Sequence, residues 1–202
     1  MKRQIKFTHI LIGLNILVFI AWSLAKGNIE RMEFMVMNFL VSWLHLEQQY
    51  YWTLLTAAFS HNMLWHLLLN MLVLLSFGPT LEMVLGKKRF ITFYLSAAII
   101  SSFSHAAVSA FFLQEPQTPA LGASGAVAGV IFLFSLLYPK QKILLFALIP
   151  LPAIVGGFIF IGLDIWGLVA QSSGGGLPIG HGAHLGGAAA GILYYFLIFR
   201  KK

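Results

Sequence analysis

The chain has 202 residues, 59% of them apolar and 9% charged, with a formal net charge of +7 and no cysteine. Soluble domains carry roughly 25% charged residues, so the composition is that of an integral membrane protein, with length for one helical membrane domain over 1–202 and little else. The basic residues sit in short clusters beside apolar spans, which reads as membrane orientation and not as nucleic-acid binding; without cysteine, disulfides, thiolate chemistry and Cys-ligated metals are excluded.

Met1-Lys2-Arg3-Gln4-Ile5-Lys6 is basic and precedes a charge-free run over 7–25. Ser23-Leu24-Ala25 loosely fits a signal-cleavage site, but the run is longer than a signal core and long enough to span, so it reads as span one. Residues 26–60 form the longest connection. Its stretch Phe34 to Leu44 is too apolar for water and too short to cross, and Tyr50, Tyr51 and Trp52 follow, so this is an interfacial loop. Span two covers 61–81 and ends near Glu82, with a turn at Gly86-Lys87-Lys88-Arg89. Span three covers 90–113. Gln114 to Pro119 is rich in turn formers, and its prolines stop the helix. Span four covers 124–138. Lys140 and Lys142 precede an apolar segment, Ile143 to Ile149, expected to skim the surface. Span five covers 153–169, Gln171 to Pro178 is a flexible loop, and span six covers 180–199.

The predicted fold is therefore an all-α membrane bundle of six transmembrane helices with both termini cytoplasmic. In that arrangement Lys2, Arg3, Lys6, Lys87, Lys88, Arg89, Lys140, Lys142, Arg200, Lys201 and Lys202 lie inside. They are 11 of the 13 basic residues, leaving Lys26 and Arg31 outside. The bias follows the positive-inside rule.

Gly122-Ala123-Ser124-Gly125 sits where the loop after span three meets span four. By itself the pattern also fits a helix start made of small residues. Span four, however, rises only ~22 Å against ~30 Å of hydrocarbon, which recesses Ser124 below the outer surface at a helix N-terminus, where free N–H groups favour an oxyanion. His184 lies about one turn into span six. The spacings Gly182/Gly186 and Gly187/Gly191 let helix backbones approach closely, with span four the natural partner. An imidazole in reach of Ser124 makes a nucleophile–base pair; a histidine bonding a neighbouring helix is the blander alternative. His61, His66 and Asn70 lie in the outer half of span two. His66 and Asn70 share one face and can donate to an oxyanion, or simply tie helices together.

These residues carry a resemblance. His61-x4-His66-x3-Asn70, then Gly122-Ala123-Ser124-Gly125, then Ala183-His184-x2-Gly187-x3-Gly191, on spans two, four and six, resemble the rhomboid family of intramembrane serine proteases over about 61–199. The resemblance implies Ser124 as nucleophile and His184 as general base, a dyad with no acidic third member. It implies an oxyanion hole of His66, Asn70 and the backbone N–H groups of Ser124 and Ala123, with His61, Gly122, Gly125, Gly187 and Gly191 in support. It implies transmembrane proteins as substrates within the lipid bilayer, with no cofactor, metal or nucleic acid. The expected setting is a bacterial cell (inner) membrane, the site opening to its outer face.

Two positions depart from the family pattern. Trp52-Thr53 stands where many members have Trp-Arg, and Ala128 stands where an aromatic often stacks on the catalytic histidine. Among other polar residues, the Ala-His-x-x-Gly match favours His184 over His181 as the base. Asp164 is expected to cap or hydrogen-bond near the outer end of span five and not to complete a triad. Glu82 is expected to satisfy N–H groups of the next turn, and His9, His45 and His105 receive no chemistry. Two competing functions remain beside the protease: a catalytically inactive rhomboid-like binding or chaperone protein, and a metal or proton carrier using His61, His66, His181 and His184.

Overall fold

The computed structural model describes residues 6–145 and 148–199. Lys2, Arg3, Arg200, Lys201 and Lys202, five of the cations expected inside, lie outside the described residues. Helix α1 is Phe7–Ala25, matching the expected first span. The long connection folds into three short helices, α2 Ile29–Phe39, α3 Trp43–Glu47 and α4 Thr53–Thr56, followed by a 3-10 turn, Ala57–Phe59. Asn28 accepts from the Arg31 N–H and Ser42 from the His45 N–H, so both longer pieces start on side-chain caps.

Helix α5 runs Leu64–Leu85, later at both ends than expected. His61 and Asn62 precede the helix, and Gly86 ends it at φ +76, a left-handed conformation in which a side chain would be strained. The turn is therefore Gly86 alone. Lys87, Lys88 and Arg89 already belong to helix α6, Lys87–Ala107, which one π-helical turn, Val108–Phe112, extends. Helix α7 is Ser124–Leu137. The segment expected to skim the surface instead pairs as an antiparallel hairpin, β1 Lys142–Leu145 with β2 Ile149–Pro152, so the fold is not purely helical. Phe146 and Ala147 of that segment lie outside the described residues. Helices α8, Ala153–Ser172, and α9, His181–Ile198, complete the chain.

Four of these elements are long and apolar enough to cross a membrane: α1, α5, α6 with its π turn, and α8. Helix α7 is apolar but has only 14 residues, and α9 carries two histidines and four glycines that lower its hydropathy. Helix α7 is nonetheless the hub, packing against α5, α6, α8 and α9. It is buried nearly all round, from Gly125 to Ser135, as expected of a helix apolar on every face. Leu133, Val130, Leu74, Leu81, Phe90 and Tyr94 form the fully buried centre.

Small residues set how closely the helices meet. A Cβ on Gly187 would collide with the Gly125 carbonyl oxygen, and one on Gly191 with that of Gly129. The offset is the same in both pairs, so α7 and α9 run parallel. On its other side α9 meets α6: a Cβ on Gly182 would strike Val108, and one on Gly186 would strike Ser104. The two glycine spacings thus serve two partner helices, where the sequence pointed to one.

Glu82 also differs from expectation. Its carboxylate accepts from the Phe7 N–H at 2.6 Å, the Thr8 N–H at 2.9 Å and the Thr8 hydroxyl at 2.8 Å. It caps the start of α1 and not the turn after its own helix. The first N–H groups of a helix lack intrahelical partners, and Lys6 offers no side-chain cap, so the carboxylate takes them from across the bundle.

Candidate active site

Ser124 opens α7, and the loop before it is pinned at three points. Val41 and Ala120 exchange both backbone hydrogen bonds, at 3.0 and 2.8 Å. Thr118 O faces His105 Nε2 at 3.2 Å. The Gly122 N–H donates to Ala57 O at 2.9 Å. Gly122 has φ +127, and a Cβ there would come 2.7 Å from His66 Cε1, so only glycine allows both the turn and the ring beside it. Ser124 is itself recessed. A Cβ on its neighbour Gly125 would collide with Ser101 of α6, 11 residues before the end of the π turn at Phe112. At 1.5 Å per residue, the serine lies ~16 Å below that end.

His184 Nε2 lies 2.9 Å from Ser124 Oγ. His181 is one turn earlier on α9 and does not share this contact; its Nδ1 lies 2.6 Å from Asp164 Oδ1. The same carboxylate oxygen lies 2.9 Å from His184 Nδ1. Asp164 therefore neither caps a helix nor stands apart from the serine and histidine. The physical reason lies in α8, whose buried residues Ala153, Gly156, Gly157, Asp164 and Gly167 share one face. Small side chains bring that face close to α7 and α9, and the carboxylate goes in with them. A Cβ on Gly167 would overlap the His181 ring, so glycine makes the space this imidazole fills.

Helix α8 also supplies an aromatic. The Phe160 ring lies 5.5 Å from the His184 ring, tilted by 34°. Phe160 precedes Asp164 by one turn, so one helix presents a ring to the face of His184 and a carboxylate to its Nδ1.

Across the cavity stand the residues of the expected oxyanion hole. His66 and Asn70 of α5, Gly122, Ser124 and His184 line a cavity of about 720 Å³. His61 sits behind them, fully buried, its ring edge-on to His66 with centroids 4.8 Å apart. The Asn70 amide nitrogen is 2.9 Å from His66 O and 3.2 Å from His61 Nε2. The Ala123 N–H leans on the same His61 nitrogen at 3.5 Å. Asn70 and Ala123 thus hold His61, whereas the Ser124 N–H, first in its helix, has no preceding carbonyl in the ladder. Cavity lining also includes His105, to which the sequence assigned no chemistry. Asp164, His181 and His184 bring donor atoms within 4.8 Å of one another, a spacing open to a divalent cation. Hydrogen bonding to Asp164 Oδ1 already accounts for both Nδ1 atoms.

Sequence reasoning named Ser124, His184, His66 and Asn70 but passed over Phe160 and set Asp164 aside. A signal for Asp164 was present. It is the only aspartate in the chain, and it lies within an apolar helix of 20 residues. A carboxylate at membrane depth persists where it has a partner and commonly marks function.

Comparison with known proteins agrees with the motifs. Residues 48–201 match the Rhomboid domain. Rhomboid protein 1, mitochondrial, of Saccharomyces cerevisiae is 35% identical over 201 residues, covering 94% of this chain and 52% of that protein. RHOMBOID-like protein 12, mitochondrial, of Arabidopsis thaliana is 33% identical over 197 residues, covering 92% and 56%. Presenilin-associated rhomboid-like protein, mitochondrial, of Homo sapiens is 35% identical over 150 residues, covering 70% and 36%. The chain spans about half the length of the first two. All three relatives are mitochondrial by name, which argues against the bacterial cell (inner) membrane expected above; what stands of that expectation is an integral membrane protein. Since the Rhomboid domain match covers well over half of its length, the chain belongs to the rhomboid family.

Proposed function

We propose that this protein is an intramembrane serine endopeptidase that hydrolyses peptide bonds in or near the transmembrane helices of other membrane proteins. The observation that carries this reading is the 2.9 Å contact between Ser124 Oγ and His184 Nε2 on the wall of a recessed cavity. Neither a carrier nor a chaperone needs a hydroxyl aimed at a ring nitrogen.

In the first step Ser124 Oγ attacks the scissile carbonyl carbon while its proton passes to His184 Nε2. The carbonyl oxygen becomes an oxyanion, and the Ser124 N–H and the His66 ring are the donors nearest to hand. Asn70 becomes a donor only by releasing His61 or the His66 carbonyl, and the Ala123 N–H only by releasing His61. Collapse of the tetrahedral intermediate breaks the C–N bond, and the His184 proton goes to the leaving amine. Water then attacks the acyl-enzyme, giving its proton to His184, and Ser124 regains a proton as the acid product leaves. Preorganised donors of this kind are each worth about 10²–10³ in rate.

Six transmembrane helices in one membrane domain, cytoplasmic termini and a site opening to the outer face go with this reading. Helices α7 and α9 support it. Each lies against α6, a helix long enough to cross, and packs beside it through glycines.

Purified protein in proteoliposomes provides the test, with a reporter transmembrane helix as substrate and a fluorophosphonate probe for the serine. The wild type is expected to cleave and to be labelled at Ser124. Ser124→Ala and His184→Ala are expected to lose both while inserting and folding normally. Cleavage by Ser124→Ala would overturn the proposal. His66→Ala is expected to lower kcat about 10²-fold with little change in KM; an unchanged kcat would remove its oxyanion role.

A further inference from the structure

We infer that Asp164 is a positioning residue for His184, and that His181 in turn holds Asp164, making a chain Ser124–His184–Asp164–His181 in place of a two-residue dyad. The inference rests on the protease reading above. It departs from the dyad implied by the family resemblance, and it follows from one carboxylate oxygen lying 2.9 Å from His184 Nδ1 and 2.6 Å from His181 Nδ1.

An ionised carboxylate only accepts hydrogen bonds. Two ring nitrogens that meet one such oxygen must therefore each bring a hydrogen, so both imidazoles are protonated at Nδ1. In neutral His184 this leaves Nε2 bare, and Nε2 is the atom facing Ser124 Oγ. Asp164 thereby selects the tautomer that can accept the serine proton. When that proton arrives, the ring becomes an imidazolium beside a negative charge with little water between them. Asp164 is 4% exposed, so its effect is weakly screened.

His181 explains how such a charge is held there. A buried carboxylate is costly unless hydrogen-bonded, and among the described residues its other oxygen, Oδ2, has no partner. Both donors converge on Oδ1, which orients the group and presents one lone pair to each ring. The His181 ring is itself fixed by the space left at Gly167, one turn after Asp164 on α8. Four residues on three helices thus form one chain that leads away from the cavity into the bundle.

Two measurements test this. In the first, wild-type protein with ¹⁵N-labelled histidine is examined by NMR near neutral pH. The expected result is a His184 ring with Nδ1 protonated and Nε2 bare; Nε2 protonated in the neutral ring would overturn the inference, whatever any variant does. The second compares Asp164→Asn and Asp164→Leu with wild type for reporter cleavage and fluorophosphonate labelling, each alongside a thermal midpoint. Asparagine loses the charge and can turn its NH₂ toward His184 Nδ1, which favours the tautomer protonated at Nε2, so kcat and labelling rate are expected to fall about 10³–10⁴-fold with KM within twofold. Leucine removes charge and acceptor together and is expected to fall by a similar factor. His181→Leu leaves Asp164 against His184 and is expected to fall less than either. Wild-type rates in folded Asp164→Asn and Asp164→Leu would overturn the inference and leave the protease reading standing. Failure of the wild type itself to cleave or label would overturn both, and it would be seen before any Asp164 variant was measured.

Discussion

Phe160 does for His184 what the chain lacks at position 128. Ala128 is fully buried inside α7 and offers no ring, yet the imidazole still has an aromatic neighbour, 5.5 Å away and tilted by 34°, supplied from α8. Aromatic pairs of this kind are worth about 0.5–1.5 kcal/mol beyond their buried area. Phe160→Leu keeps most of the volume and loses the ring, so fluorophosphonate labelling of Ser124 is expected to slow roughly 2–10-fold with little change in thermal midpoint. Labelling at the wild-type rate would leave Phe160 a packing residue only. The missing Trp-Arg cation is similarly made good by neutral contacts. Trp52 Nε1 donates to Asn38 Oδ1 at 3.1 Å, and buried Thr53 donates to Tyr50 O at 2.6 Å. What the sequence made legible at this scale is whatever a motif fixes by local spacing, namely Ser124, His184, His66 and Asn70. Phe160 and Asp164 belong to no local pattern. They matter because α8 turns one face toward α7 and α9, where Gly157 meets Phe132 and Ser135 and Gly167 meets the His181 ring, and the effect of these glycines is a distance between helices and not a period along one.

Helix packing makes the same point with backbone atoms. Gly187 faces the Gly125 carbonyl so closely that one methyl group must move α9 away from α7. Ser124 and His184 lie on those two helices, and a misplacement of about 1 Å can cost about 10²-fold in rate. Gly187→Ala is therefore expected to lower kcat by that order while the protein still inserts. Gly13→Ala, with nothing within 4 Å of the added carbon, is expected to leave kcat unchanged. Equal rates in the two variants would contradict the contact. Glu82 offers a test of stability without chemistry. It caps α1 far from the cavity, so Glu82→Ala strands the Phe7 and Thr8 N–H groups. Loss of a cap costs about 1–2 kcal/mol, and the thermal midpoint in detergent is expected to drop by roughly 2–8 °C with kcat per folded molecule unchanged. This contact is not legible along the chain, because a carboxylate 74 residues away is a neighbour only once α1 and α5 are packed.

At the scale of the molecule the open choice is between four crossings and six. Helices α1, α5, α6 with its π turn, and α8 are each long enough to cross, whereas α7 rises only ~21 Å over its 14 residues. A chain that crossed only at the four long helices would still have both ends on one side, so a reporter at either terminus distinguishes nothing. Discrimination comes from two internal points. With six crossings the hairpin start at Lys140 lies on the same side as Gly86, and the loop at Gly174–Gly176 lies opposite; with four, both reverse. Packing argues for six. Gly125 and Gly129 of α7 meet Ser101 and Ala97 of α6 in descending order, and Gly182 and Gly186 of α9 meet Val108 and Ser104 likewise. Helices α7 and α9 thus run antiparallel to α6 and lie along its length, at the depth of a helix that crosses. Cysteine placed at position 140 or 175 of this cysteine-free chain can be probed with a membrane-impermeant maleimide in sealed, oriented vesicles. Position 175 is expected to react from the face opposite position 86, and position 140 from the same face as 86. The reverse pattern would require α7 and α9 each to enter and leave on one side, which their packing along the length of α6 opposes.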